Sequence, residues 1–379
     1  MWQSLHDAWW RLATQSEPRS FSDALACRVL QTGAVAYRAA VAVRNTAYDR
    51  GWVPQVRLPC RVVSIGNLTV GGTGKTACVE LITTKLLALG RRVAVLSRGY
   101  GGRRGDYWLR WEAGRLLVNG GAEAAPDGLA DEPQLLAKHL AGVPIFVGAR
   151  RDRTGRAACQ QCAVDTVVLD DGFQHRRLRR DCEIVLVRAR MPFGGWPVLP
   201  RGPMREPLTS LKRAHVIMLT KADEALETLG AWRERLRAFN PNAALVAAMH
   251  VPTSLLDGFT GQRHEPHRVA GLRVGLLSSI GDPEGFEVTV RRLHALVSWH
   301  HPLPDHHRYR PTDWDALTAR VRASRLDAVV TTEKDWVRLS AVADGGLPGD
   351  VPLWVLGIRM TIHSGEDLLD ARLAGLNAR

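Results

Sequence analysis

Cysteine is scarce in this chain: six among 379 residues, too few and too scattered for the disulfide framework of a secreted mini-domain. Cys159 and Cys162 have the spacing of half a metal clip, but no second pair follows at finger distance. They read as thiols of a helix that precedes a strand, and a reducing compartment fits. Long apolar runs are lacking too. The longest uncharged stretch, Ala238 to Leu256, contains Asn240, Pro241, Asn242, His250 and Pro252, so no membrane-spanning helix is expected. The N-terminus shows neither a basic start nor an unbroken apolar segment, so a signal peptide is not expected. No repeat or low-complexity tract interrupts the chain.

What is present is the composition of an ordinary globular α/β protein, 45% hydrophobic and 23% charged, in a chain long enough for two cores. The net charge is +13, with pI near 10.1. That balance suits nucleic acid, an anionic membrane surface or a phosphorylated substrate. Without a DNA- or RNA-recognition motif, nucleic acid is the least favoured of the three.

The chain is organised around residues 61–76, RVVSIGNLTVGGTGKT. A buried-strand pattern (Val62, Val63, Ile65) breaks into Gly71, Gly72 and Gly74, then Lys75-Thr76 and a helical pattern. Strand, glycine loop, Lys-Thr and helix form the context of a phosphate-binding loop. Thr69, Val70, Gly71, Gly72, Thr73 and Gly74 would wrap backbone amides around phosphate oxygens, helped by the positive end of the helix. Lys75 would reach the β- and γ-phosphates, and the Thr76 hydroxyl would ligate Mg²⁺. The strict pattern has glycine where this chain has Thr69.

Before this loop, residues 1–55 are distinct. Tryptophans stand at 2, 9 and 10, and a helical pattern runs from Asp23 to about Arg50 with Leu30, Ala34, Tyr37 and Val41 on one face. Arg28, Arg38 and Arg50 lie roughly opposite, whereas Arg44 spoils that polar face. Two readings stand: a helix lying in a membrane interface, or one packed on its own domain. After the loop, continuous apolar strands alternate with helices, which argues for a parallel sheet covered on both faces. The stretch after Tyr100 reads as a glycine-rich, charged loop up to Asp131-Glu132-Pro133, which opens a helix. Thr166 to Leu169 is a strand ending in Asp170-Asp171, the pattern of a carboxylate facing Mg²⁺. Residues 192–214, rich in Pro, Gly and Arg, read as a functional connection. A second α/β unit follows, with a helix over 225–239 and strands near 244–248, 273–277, 327–332 and 351–356. His300 to His307 is placed on a loop, and its histidines could also ligate metal. The domains expected are 1–55, a core of 56–212 and a smaller unit of 213–379.

In order, SIGNLTVGGTGKT, LSRGYGG, DEPQLL, LDDGFQHRRLRRD, LPRGPMREP, PDHH and TTEKD make the chain resemble the tetraacyldisaccharide 4′-kinase family of Gram-negative lipid A synthesis, from Val43 to Asp335. The resemblance implies a phosphate-loop core, a smaller α/β domain and an N-terminal amphipathic helix, with the site in the cleft between the domains. It implies an ATP- and Mg²⁺-dependent lipid kinase that phosphorylates the 4′-hydroxyl of the tetraacylated glucosamine disaccharide 1-phosphate. It places that enzyme peripherally on the anionic cytoplasmic face of the inner membrane, without an obligate protein partner. By the same resemblance Asp131 takes the sugar hydroxyl's proton, His306 pairs with it from the other domain, and Asp170 and Asp171 organise metal and nucleotide. Asn67, Tyr100, Arg153, Gln174, His175, Arg205 and Glu206 match positions around the family's cleft. Here Ala130 stands where the family usually has glycine before the Asp-Glu-Pro run. Read without the resemblance, Asp131 is better taken as an N-cap or first-turn helix acid. The competing function is a GTPase-type switch, because Thr220-Lys221-Ala222-Asp223 imitates the guanine-reading [N/T]KxD motif.

Overall fold

The computed structural model describes residues 9, 13, 20–99, 102, 105–120, 122–123, 128–190 and 196–376. The first continuous element among the described residues is helix α1 (Phe21–Asp49), whose N-cap Ser20 accepts a hydrogen bond from the Asp23 amide. Its stripe of Leu30, Ala34, Tyr37 and Val41 is buried or half-buried against the body. Leu25, Val29 and Val43 remain exposed and fall within about 40° of one another on the opposite side of the helical wheel.

The strands that follow are β1 (Arg61–Asn67), β2 (Val93–Ser97), β3 (Tyr107–Glu112), β4 (Arg115–Val118), β5 (Ala122–Glu123), β6 (Ile145–Val147), β7 (Thr166–Leu169), β8 (Cys182–Arg188) and β9 (Val216–Thr220). After them come β10 (Ala244–Asp257), β11 (Arg263–His264), β12 (Arg273–Ser278), β13 (Leu296–Pro302), β14 (Ala328–Thr332) and β15 (Leu353–Ser364). The helices between them are α2 (Lys75–Ala88), α3 (Asp131–His139), α4 (Arg151–Cys162), α5 (Leu229–Phe239), α6 (Pro283–Arg292), α7 (Pro311–Arg322), α8 (Glu333–Leu339) and α9 (Glu366–Ala374).

Among the described residues the strands form one mixed sheet in the order β13-β12-β14-β15-β10-β9-β8-β1-β7-β2-β6-β3-β4-β5, with β11 paired to β10. The centre is parallel: Val63 registers with Val168 on β7 and with Cys182 on β8. Val63, Ile65, Val168, Leu169, Ile184 and Val185 are wholly buried, as strands covered on both faces must be. Cys78, Val79, Ile82 and Leu86 form the buried stripe of α2. This is a phosphate-loop α/β core, followed by a second α/β layer built on β12–β15. Sheet pairing runs unbroken past residue 212: β9 lies parallel to β8, and the start of β10 parallel to β9. The halves are joined by the long antiparallel pair of β10 and β15, with irregular register around Pro252.

Two expectations are corrected. The stretch between Gly105 and Asp131 is not all loop, because β3–β5 form an antiparallel meander on the sheet edge. Tyr107 and Leu109 point inward, and the β3–β4 turn has both Ala113 (φ 49°) and Gly114 (φ 80°) left-handed, matching strand twist. His300 and His301 lie on β13, not on a loop, in register with Leu276 and Leu277 of β12.

Candidate active site

β1, β2 and β7 all run parallel, so their carboxyl ends open on one edge of the sheet, where the glycine loop, Ser97 and Asp170 meet. Ligands in open α/β sheets bind at that edge. A cleft of about 430 Å³ lies there, lined from the first half by Gly71 to Thr76, Asp170, Asp171 and Arg205 and from the second by Gly281, Asp282, Asp305, His306 and Lys334.

The loop is braced from within. Asn67 Nδ2 donates to Thr73 Oγ1 at 2.7 Å, and Lys75 Nζ lies 3.4 Å from Asn67 Oδ1. Gly74, at φ 85°, is the N-cap of α2. Val70 donates its amide to the Pro203 carbonyl and Thr69 bridges to Met204, so Gly71 is the first loop residue not stitched to the 203–204 segment. Asp170 and Asp171 follow β7. Lys75 Nζ is 3.6 Å from Asp171 Oδ1, and Arg205 Nη1 donates to Asp171 Oδ2 at 2.8 Å. Burial opposes ionisation of Asp171, but these two cations outweigh it and hold its carboxyl below the usual range. Asp170 differs: burial, reinforced by the charges of Glu132 and Asp171, pushes it up to about 6, although Ser97 Oγ donates to it at 3.2 Å. A buried carboxylate short of positive charge suits a hard divalent cation, and the Thr76 hydroxyl lines the same cleft. Among the described residues no three His, Cys, Asp or Glu side chains form a metal cage. Asp170 and the Thr76 hydroxyl are oxygen donors that fit a cation such as Mg²⁺ shared with phosphate oxygens.

Asp131 opens α3 and is nearly buried. His306, held at φ 60° on the segment after β13, places Nδ1 3.3 Å from Asp131 Oδ2. Burial pushes the Asp131 carboxyl up, but the His306 hydrogen bond and the charge of Arg338, whose Nε is 3.5 Å away, prevail and hold it at about 2. The same hydrogen bond raises His306. The arrangement is a carboxylate hydrogen-bonded to a histidine that lines the same cleft as the glycine loop, with Asp131 itself just behind that lining; a carboxylate so oriented can align a hydroxyl and take its proton.

The other expected residues divide. Gln174 donates to the Asn67 carbonyl at 3.1 Å and lies 3.4 Å from Arg205. Glu206 is buried away from the cleft lining, bonded to Asn45 and Arg213 at 2.8 and 2.9 Å. His175 is driven down to about 4 by burial and by Arg151 and Arg180. Arg153 is exposed on α4, and Tyr100 lies outside the described residues. The histidines do not converge: His300 faces Ser278 and Glu287, His307 faces Asp313, and His301 faces Arg320. In the Thr220–Asp223 segment, Lys221 pairs with Asp282 and Asp223 with Arg292. Sequence reasoning missed the cross-cleft partners: Lys334 to Glu132, and His139 between Glu80 at 2.6 Å and Glu333 at 3.0 Å. The DEPQLL and TTEKD strings contained Glu132, Glu333 and Lys334, but nothing in either string says that they face each other, and His139 and Glu80 lie outside both.

The family profile described as tetraacyldisaccharide-1-P 4′-kinase matches residues 26–376. The chain is similar to proteins named tetraacyldisaccharide 4′-kinase. One, from Anaeromyxobacter dehalogenans, is 42% identical over 372 residues, covering 98% of this chain and 94% of the relative. Another, from Syntrophus aciditrophicus, is 38% identical over 329 residues, covering 84% and 86%. Among solved structures, LpxK from Aquifex aeolicus, crystallised in complex with ATP, superposes with a TM-score of 0.69 at 26% identity, over 92% of this chain and 99% of that one.

Proposed function

The chain belongs to the tetraacyldisaccharide-1-P 4′-kinase family, and from that premise we propose that it transfers the γ-phosphoryl group of ATP to the 4′-hydroxyl of the lipid A disaccharide 1-phosphate. The observation that carries the mechanism is the 3.3 Å contact that Asp131 makes across the two halves with His306, which lines the same cleft as the glycine loop. Lys75 and the amides of residues 71–76 hold the β- and γ-phosphates. Bound Mg²⁺, held by Thr76 and Asp170, would neutralise charge on the phosphate oxygens. Asp131 receives the proton of the 4′-hydroxyl as its oxygen bonds to phosphorus and the bond to the β-phosphate oxygen breaks, releasing ADP. His306 fixes the carboxylate's direction. Asp171, matched by Lys75 and Arg205, keeps both cations aimed into the cleft. We place the junction of the two units at the β10–β15 pair, so that the site is complete only where both meet, which limits transfer to water.

The lipid acceptor accounts for α1. Its packed stripe holds the helix to the body, while Leu25, Val29 and Val43 on the far side, accompanied by exposed arginines, suit the headgroup region of an anionic leaflet. No helix among the described residues is long and apolar enough to cross a membrane. We assign the chain, through that exposed face of α1, to a peripheral position on the cytoplasmic face of the inner membrane. A guanine-reading role for Asp223 is disfavoured by its ion pair with Arg292.

The test is transfer of label from γ-labelled ATP or GTP to the tetraacylated disaccharide 1-phosphate in mixed micelles. Label should appear on the lipid with ATP. Hydrolysis without labelled lipid, or a strong preference for GTP, would overturn the reading.

A further inference from the structure

The pairing of Asp131 with His306 joins two segments that need a common brace, because one opens α3 and the other is a left-handed loop position after β13. That brace is one guanidinium. Arg338 of α8 places Nε 3.5 Å from Asp131 Oδ2. Its Nη1 donates to the His307 carbonyl at 3.2 Å, and its Nη2 donates to the Ser279 carbonyl at 3.2 Å and to Asp335 Oδ1 at 3.0 Å. The Ser279 carbonyl in turn accepts the His306 amide at 3.3 Å. Asp335, wholly buried, also accepts from the Ser279 amide and the Tyr309 hydroxyl, each at 3.0 Å. One turn earlier on the same face of α8, Lys334 pairs with Glu132, the neighbour of Asp131. The planar fork of arginine suits this task, since several donors leave one rigid group in fixed directions.

We propose that Arg338 is a positioning residue for phosphoryl transfer, setting the distance and direction between Asp131 and His306. This deepens the proposed mechanism and rests on Asp131 being the base. Arg338 acts on both partners at once: its charge sits against the carboxylate, and its two terminal nitrogens hold the His307 carbonyl and the Ser279 carbonyl that accepts the His306 amide. A neutral replacement leaves Asp131 with His306 and Lys334 as the cations facing it and Glu132 as the acid beside it, while Asp305 faces His306. The His306 ring then carries more of the compensation for Asp131, so its proton is held more tightly. An angular error in the pair is felt in turnover, because an error of about 1 Å at reacting groups can cost on the order of 10²-fold. ATP is gripped by the other half of the cleft, so its affinity is spared.

The experiment compares Arg338→Met, Arg338→Gln and Arg338→Lys with wild type and with Asp131→Asn, measuring kcat, KM for ATP, the Tm, and the pH titration of His306 by NMR. Arg338→Met should lower kcat by about 10- to 100-fold, keep KM for ATP within about twofold of wild type, and move the His306 titration upward by about half a unit or more. Arg338→Lys, which keeps the charge but not the fork, should keep the wild-type titration and recover part of kcat. Should Arg338→Met fail to fold, Arg338→Gln, with an amide that still donates to the carbonyls, gives the same two readouts. Turnover and His306 titration at wild-type values in the neutral variants, with Asp131→Asn impaired, would overturn the role given to Arg338. Full turnover in Asp131→Asn would instead remove the base assignment beneath it.

Discussion

Replacing Gly74 by alanine tests the loop geometry with one methyl group. Gly74 sits at φ 85°, and a Cβ there would stand 2.6 Å from His250 Nε2, 2.7 Å from His250 Cε1 and 3.2 Å from Met360 Cε. The left-handed backbone costs a residue with a Cβ about 1–2 kcal/mol. Forcing the His250 ring aside adds about 1–3 kcal/mol of overpacking, because it projects from β10 against the loop with Nε2 buried and without a hydrogen-bond partner among the described residues. The expected loss is therefore about 2–5 kcal/mol, read from urea unfolding, and ATP affinity should fall with it as the loop amides are displaced. The clash and the backbone terms separate in a double-mutant cycle with His250→Ala. Relief of the clash should give a favourable coupling of about 1–3 kcal/mol, leaving the backbone share in place. A loss below about 0.5 kcal/mol, or a cycle without coupling, would refute this account of why glycine precedes Lys75.

Lys75→Ala should weaken nucleotide binding and turnover together, since it removes the cation shared by phosphate and Asp171; a tenfold or greater drop in kcat/KM is expected, and an unchanged ATP affinity would count against it. His139 contributes a pH signature. Burial disfavours its cation, yet the hydrogen bonds that its ring donates to Glu333 and Glu80 prevail and raise it to about 9. A raised folded value stabilises fully below the unfolded value near 6.5 and fades as pH climbs through about 9. Stability should thus fall by up to about 3 kcal/mol between those limits, and His139→Phe should flatten that part of the profile. Deleting residues 1–50 should lower co-sedimentation with anionic vesicles while leaving ATP binding in place; equal partitioning of both forms would exclude α1 as the membrane contact.

The parts of the molecule legible in its sequence are those whose physics is local. The apolar runs of β1, β7 and β9 announce buried parallel strands, and the glycines before Lys75 announce the loop. The stripe of Leu30, Ala34, Tyr37 and Val41 correctly picks out the packed side of α1. The β3–β5 meander was legible in principle, through the alternation Tyr107-Trp108-Leu109-Arg110 and the Ala113-Gly114 turn, but charged and glycine-rich surroundings obscure it. Brief strands on a sheet edge carry a weak pattern. The brace of Arg338, the Lys334–Glu132 pair and the His139 bridge are different in kind. Each depends on which faces of α3 and α8 meet, and these lie about 200 residues apart in the case of Glu132 and Lys334. Periodicity within either helix holds no record of that encounter. The roles of Glu206 and Arg213 are likewise set by tertiary contact, since an arginine stacked 4.1 Å over the Phe173 ring is indistinguishable in sequence from a solvated one.

The central claim is that Asp131 takes the acceptor's proton in a cleft whose nucleotide grip lies elsewhere. The most direct measurement is kcat for lipid phosphorylation beside the equilibrium Kd for ATP in Asp131→Asn. The account predicts a fall in kcat of about 10²- to 10⁴-fold with Kd for ATP within about twofold of wild type. Unimpaired turnover, or a loss confined to ATP affinity, would contradict it.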